Sequence, residues 1–362
     1  MRAAVIDDDV PASVEDALAR YLAQRRADLV ARAPAFADAV DALTGFVLGG
    51  GKRIRPTFAW WGWRGAGGAA GGERAAVVLR TISALELLQA CALVHDDLMD
   101  ASAVRRGSPT VHVAFADTHR TKQWLGDPDR FGMAAAVLIG DLALAWAEDM
   151  FAGVDGARPP AGAREAWQAM RSEVLAGQFL DVLVQATGDE SAGAALAVAQ
   201  MKTAAYTVER PLHLGAALAG ADERTLAAVR RFGADVGVAF QLRDDLLGVF
   251  GDTRATGKPA GDDLREGKRT LLVALGLQLA ERAGRGADAA MLRAALGDAD
   301  LAPPAIERIR DVLTGVGAVD AVERRIEALT GSAVTALTEA RLAEPAASRL
   351  AELAVAASRR DR

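Results

Sequence analysis

Cysteine is all but missing from this 362-residue chain: Cys91 stands alone, so no disulfide can form within it. Its stability must come from packing rather than cross-links, and a lone thiol suits a reducing cytoplasm, the expected compartment. Aromatics are scarce at 5% and β-branched runs are few, which disfavours sheets; Ala and Leu dominate, which favours packed helices. Positive charge is not in excess: 42 Lys and Arg face 48 Asp and Glu, a net charge of -6. That balance argues against a general nucleic-acid binder, which is usually basic, though not against local basic pockets. Long apolar runs are also missing. The longest, Met133 to Ala147, is interrupted by Asp141 and falls short of the roughly 20 residues a spanning helix needs. The N-terminus, MRAAVIDDDVPAS, carries acids where a signal peptide would be apolar, so no membrane span is expected. GxGxxG after a strand, GxxxxGK[ST], HExxH, CxxC and GxSxG are all absent. The four histidines, His95, His112, His119 and His213, make no i,i+4 ligand pair.

What is present is helical periodicity, from soon after Pro11 almost to the C-terminus. Its breaks are short: Gly49-Gly50-Gly51, GAGGAAGG from Gly65 to Gly72, then stretches near Arg106–Pro109, Gly126–Arg130, Gly153–Gly162, Thr187–Ser191 and Gly297–Pro304. Gly251 to Gly267 is the longest polar loop of the second half. With no repeat and no dividing linker, residues 1–362 read as a single domain with a flexible segment at about 1–12. The expected fold class is all-α, one large helical bundle of about a dozen helices.

Two aspartate clusters stand out. In Leu93-Val94-His95-Asp96-Asp97-Leu98-Met99-Asp100, helical geometry places Asp96, Asp97 and Asp100 within one arc of about 100°. Like charges at i,i+4 repel by a few tenths of a kcal/mol, and a hard divalent cation such as Mg²⁺ removes that cost. A solvated acidic helix end is the bland alternative, but the preceding ELLQACALV is apolar. The second cluster, Phe240-Gln241-Leu242-Arg243-Asp244-Asp245-Leu246-Leu247-Gly248, also follows an apolar helix; here the alternative is a surface acidic pair partnered by Arg243. Two such clusters in one bundle could face each other across a cavity and hold several metal ions. His95 beside the first cluster either orients an aspartate or packs. Trp60, Trp61 and Trp63 read as core or dimer surface.

Metal-bearing acidic clusters invite a polyphosphate, and matching cations exist. Lys52, Arg53 and Arg55 follow the glycine run, whose backbone amides can approach phosphate oxygens. Arg105 and Arg106 follow the first cluster, and arginine forks bind phosphate bidentately. Lys202, Lys258 and Lys268 add positive charge in the second half.

From about Leu43 to Leu275 these motifs, in order, resemble the trans-isoprenyl diphosphate synthases, the polyprenyl synthetase family. They are GGGKRIRP, ELLQACALVHDDLMD, RRGSPTVH, IGDLAL, GQFLD, KTAAYTVERPLHLGA, FQLRDDLLGVFGD, TGKP and DLREGKRT. The resemblance implies a bundle of the isoprenoid synthase type around a central cavity. It implies three Mg²⁺ ions, with Asp96, Asp100 and Asp244 as ligands and Asp97 and Asp245 assisting. Lys52, Arg55, Gln89 and Arg106 match the isopentenyl diphosphate site; Arg105, Lys202, Lys258 and Lys268 match contacts to the allylic diphosphate. Thr203 and Gln241 match groups near the reacting carbons. Family members are typically homodimers. Two departures are visible. Gly248 stands where many members carry a third aspartate, with Asp252 as a compensating candidate, and Gln89 stands where many bacterial members have histidine.

One helical turn rises about 5.4 Å, close to one isoprene unit. One turn before Asp96 lie Cys91 and Ala92, both small, where farnesyl-making relatives often carry aromatics; Leu87 and Leu88 lie a turn deeper, and Trp146 is a candidate for the far wall. The expected product is therefore C20, geranylgeranyl diphosphate, with C15 or with C25 and longer as alternatives. A terpene cyclase would carry an NSE-type second motif and need no GGGKRIRP. A non-catalytic subunit of a heteromeric synthase would usually lose aspartates of the first cluster, and this chain keeps all three.

Overall fold

The computed structural model describes residues 6–153, 158–251 and 261–358. Among the described residues it is all-α apart from one two-stranded hairpin. Its contacts divide the chain into two compact units, residues 6–166 with 211–221, and residues 167–210 with 222–358.

In the first unit the helices are α1 (Val10–Arg32), α2 (Ala37–Leu48), α3 (Ile54–Gly65), α4 (Glu73–Met99), α5 (Val111–Thr121) and α6 (Pro128–Ala152). Asp9 caps α1 by accepting from the Ala12 N–H at 2.9 Å, so the helix begins inside the N-terminal segment set apart from the sequence. The GAGGAAGG run separates α3 from α4, as the punctuation predicts. α4 is buried on nearly every face, from Ala75 through Leu88 to Val94, and packs against α1, α2, α3 and α6. A helix apolar all round belongs at the centre of its unit. Trp60, Trp61 and Trp63 are buried, which settles them as core; the indoles of Trp60 and Trp63 donate to Asp7 and to the Ala69 carbonyl.

α4 and α6 are each long and apolar enough to cross a membrane by length and composition. The stretch around Met133–Ala147 is thus part of a longer helix than its apolar run suggests, because Asp141 does not interrupt it. The apolar window of α4 is two-thirds buried within the structure.

The second unit holds most of α7 (Ala161–Thr187), then α8 (Ala192–Val198), which runs into a π-helical segment, Ala199–Glu209; the chain continues as α9 (Arg210–Ala219), which after Arg210 belongs to the first unit. Next come α10 (Glu223–Phe250), a single turn α11 (Asp262–Arg265), α12 (Leu271–Arg282), α13 (Gly286–Ala295), α14 (Pro303–Gly315), α15 (Ala318–Ala340) and α16 (Ala346–Ser358). α10 is the central helix here, packing against the π segment, α12, α15 and α16. Its Leu242, Leu246 and Val249 join Leu264, Leu271, Leu272 and Leu313 in one core. Each unit is therefore built on one long apolar helix, and each of those helices carries an aspartate pair toward its C-terminal end.

Candidate active site

In the first unit α4 ends at Met99, with Asp100 as its cap and Asp96 and Asp97 in its last turn. Carboxylates there face the negative end of the helix dipole, an unfavourable place unless a cation answers them. Arg105 supplies part of the answer. Its Nε donates to both oxygens of Asp97 at 2.7 and 2.8 Å, and Nη2 reaches Asp96 at 3.5 Å. Asp97 is only 1% exposed and Asp96 17%, so the arginine neutralises the inner carboxylate while Asp96 keeps access to solvent. Arg105 is held by a hairpin in which Val104 pairs with Pro109 and Arg105 with Ser108. The two turn residues, Arg106 and Gly107, both take positive φ (52° and 76°), the signature of a type I′ turn.

That turn sends Arg106 to the glycine run, where its guanidinium donates to the Gly50 carbonyl at 2.7 Å. Burial and the neighbouring Arg105 and Arg53 hold its pKa below the ordinary arginine value. Arg53 is itself buried, at φ 48°, with Nη1 donating to Glu86 at 2.9 Å and Nη2 3.5 Å from Glu15. The structure thus brings Arg106 together with the GGGKR turn, a pairing expected from the resemblance. The Arg53–Glu86 anchor beneath it was missed; its one signal is a glutamate within the apolar run of α4. Lys52 is exposed, and Arg55 and Gln89 are half-buried. His95 packs toward α6, with Nε2 3.2 Å from the Val137 carbonyl and Nδ1 3.8 Å from the Cys91 sulfur. Burial, with Asp141 nearby, pushes the Cys91 thiol up to about 12.

In the second unit the π segment carries Lys202 and Thr203. π turns are rare and frequent at functional sites, and here close backbone approaches accompany this one. A Cβ on Gly177 of α7 would lie 2.6 Å from the Cα of Lys202, and one on Gly237 of α10 2.5 Å from the Cα of Ala204. Only glycine lets both helices press so close. One turn past Gly177, Asp181 meets Lys202 Nζ at 2.6 Å. This explains the GQFLD motif: the glycine admits the neighbour and the aspartate, four residues on, receives its lysine. Asp181 was not singled out from the sequence, although that spacing was its signal.

Thr203 Oγ1 donates to Gln241 Oε1, and Gln241 Nε2 donates to Asp245 Oδ1, both at 2.6 Å. Asp245 is 6% exposed, and burial, helped by the charges of Asp263 and Asp244, raises its pKa to about 8 despite the Gln241 hydrogen bond. Arg243, instead of simply offsetting the aspartates beside it, forks onto Glu323 of α15 at 2.7 and 2.6 Å and so locks α10 in rotation. Lys268 Nζ lies 3.5 Å from Asp263 and 2.5 Å from Glu266. Lys258 and Asp252 lie outside the described residues.

Among the described residues no three His, Cys, Asp or Glu side chains converge as a ready-made metal cage. A hard ion that keeps waters and takes one or two carboxylates plus phosphate oxygens needs no such cage, and these donors are all carboxylates. The strain on Asp245, a buried acid among like charges, is what a divalent cation would relieve. The residues fit Mg²⁺.

A family model described as polyprenyl synthetase matches residues 38–309. The chain is 33% identical over 305 residues to a geranylfarnesyl diphosphate synthase of Aeropyrum pernix, covering 77% of this chain and 88% of that protein. It is 34% identical over 260 residues to a geranylgeranyl diphosphate synthase of Mycobacterium tuberculosis, covering 71% and 68%. Among solved structures, a geranylgeranyl pyrophosphate synthase from Corynebacterium glutamicum, complexed with isoprenyl diphosphate and magnesium, superposes with a TM-score of 0.90. That pair shares 43% identity over 97% of this chain and 98% of the other.

Proposed function

Since this chain belongs to the polyprenyl synthetase family, we propose that it is a magnesium-dependent trans-prenyltransferase that condenses isopentenyl diphosphate with an allylic diphosphate. Its main support is that the side chains matched by motif gather locally: Asp96, Asp97 and Arg105 in one unit, Lys202, Thr203, Gln241 and Asp245 in the other. Three Mg²⁺ ions, held through Asp96, Asp100 and Asp244, would neutralise the charge that develops on the departing diphosphate. Lys202, Arg105, Lys258 and Lys268 add fixed positive charge for the same purpose, a preorganised field rather than one assembled during reaction. At about 4 Å a unit charge pair is worth roughly 1 kcal/mol in water and about 4 at an effective dielectric of about 20, so closing the site multiplies their effect. Lys52, Arg55, Gln89 and Arg106 hold isopentenyl diphosphate, whose double bond attacks the allylic cation. No side chain here is assigned as base; the proton leaves to the released diphosphate.

The product is C20, geranylgeranyl diphosphate. Cys91 and Ala92 offer little bulk one turn before Asp96, while Leu87 and Leu88 a turn deeper are buried. The enzyme is a water-soluble cytoplasmic homodimer; α6 leaves Met133, Val137 and Leu138 exposed, an apolar face suited to a second copy. Purified protein incubated with Mg²⁺, isopentenyl diphosphate and each allylic primer in turn, followed by chromatography of dephosphorylated products, tests the reading. A C20 alcohol is expected from wild type and a shorter one from Ala92→Phe. A wild-type C15 product would refute the chain length, and no turnover with any primer would refute the activity.

A further inference from the structure

Glu86 is the only acid between Ala75 and Val94 of α4, and it is 8% exposed. A carboxylate so placed needs a partner, and it accepts from Nη1 of Arg53, itself 4% exposed, at 2.9 Å. Nε and Nη2 of Arg53 are buried without a hydrogen-bond acceptor among the described residues. The other nearby carboxylate, Glu15, is 3.5 Å from Nη2 and half in solvent, where its charge is screened. One buried acid therefore does most of the neutralising of one buried guanidinium.

The pair fixes more than itself. Arg53 has φ 48°, a left-handed conformation that a residue with a Cβ adopts only at a cost. Its carbonyl accepts from the N–H of Thr57 at 3.1 Å and from the Thr57 hydroxyl at 2.7 Å, which opens α3. Clamping this side chain to α4 thus sets the turn from the glycine run into α3, with Lys52 just before the turn and Arg55 just after it. Across Gly51 stands Arg106: the Cβ position of that glycine is 3.6 Å from Arg53 Nη1 and 3.5 Å from Arg106 Nη2. Guanidiniums this close repel, and the carboxylate of Glu86 offsets that repulsion before any diphosphate arrives. Gln89, three residues on, shares the Glu86 side of α4.

We propose that Arg53 and Glu86 are positioning residues for the pocket of Lys52, Arg55, Gln89 and Arg106, holding its cations in place without touching substrate. This rests on the reading of that pocket as the isopentenyl diphosphate site. The allylic side does not depend on the pair, since Asp96 lies about 15 Å further along α4.

The test is calorimetric titration of isopentenyl diphosphate into the full chain with chelator present, beside steady-state kinetics with Mg²⁺ and dimethylallyl diphosphate. Glu86→Gln and Arg53→Met should each weaken isopentenyl diphosphate, in Kd and in KM, by about tenfold. The KM for dimethylallyl diphosphate and kcat should stay within about twofold of wild type. Each single change strands a buried charge and lowers the melting temperature; the double variant strands none and should melt near wild type. Its loss of affinity should match that of either single change, because both break the same clamp. Wild-type affinity in the folded double variant would overturn the proposal. So would losses that multiply to about a hundredfold, or a fall in kcat with both KM values moving together. Lys52→Ala separates the two levels. If it weakens isopentenyl diphosphate while the double variant does not, this inference alone fails; if neither does, the reading of the pocket fails as well.

Discussion

The two aspartate pairs look alike as text, HDDLMD and RDDLLG, yet the protein buries their inner members by opposite means. Asp97 is gripped by Nε and Nη2 of an arginine delivered from a hairpin eight residues on. Asp245 is gripped by an amide, Gln241, and its carboxyl holds its proton up to about pH 8. One pair is neutralised by a permanent counter-charge, the other by a proton in the absence of metal. The same dipeptide thus produces a stiff, always ionic centre in one unit and a pH-responsive one in the other.

Removing each partner should expose that difference most strongly. Arg105→Ala strands a buried carboxylate and should cost about 2–3 kcal/mol in denaturant unfolding, whereas Gln241→Ala should cost about 1–2. Equal losses would erase the contrast. The next effect is on pH. Because the folded pKa of Asp245 lies above the 3.8 of an ordinary aspartate, the folded metal-free protein holds a proton that the unfolded chain releases. Stability should then fall as pH rises from about 4 to about 8, by up to about 1.4 kcal/mol per pH unit. Melting temperatures in chelator across that range should show this decline in wild type and lose it in Asp245→Asn; a parallel decline in the variant would assign it to other groups. The smallest change is Thr203→Val, which removes one donor from Gln241 and should cost about 1 kcal/mol, leaving the Arg105 side of the molecule untouched in amide exchange.

Much of this could be read from sequence, for reasons that also mark where reading stops. Apolar periodicity and glycine punctuation located α3, α4 and α10, since both signals act within a few residues. The aspartates, Arg106 and the glycine run were legible because chemistry that needs charge at a helix end leaves it in an apolar context. Arg243 was not: its partner Glu323 is 80 residues away, and no local rule selects it. Nor was the close approach of Asp263 to Gly248, where a Cβ on the glycine would lie 2.7 Å from the aspartate Cγ, because the two residues are far apart in sequence. The π segment escaped because KTAAYTVE carries no different pattern from an α-helix; the close glycines that accompany it lie on α7 and α10.

That segment has a consequence for how the chain can vary. An i→i+5 ladder turns less per residue than an α-helix does, so Ala199–Glu209 holds one phase on its upstream side and another downstream. Losing a single residue within it would let the ladder relax toward ordinary winding and swing Lys202 and Thr203 out of phase with the residues that follow them. No point substitution could swing them back. A one-residue deletion here is therefore expected to do more damage than any single exchange.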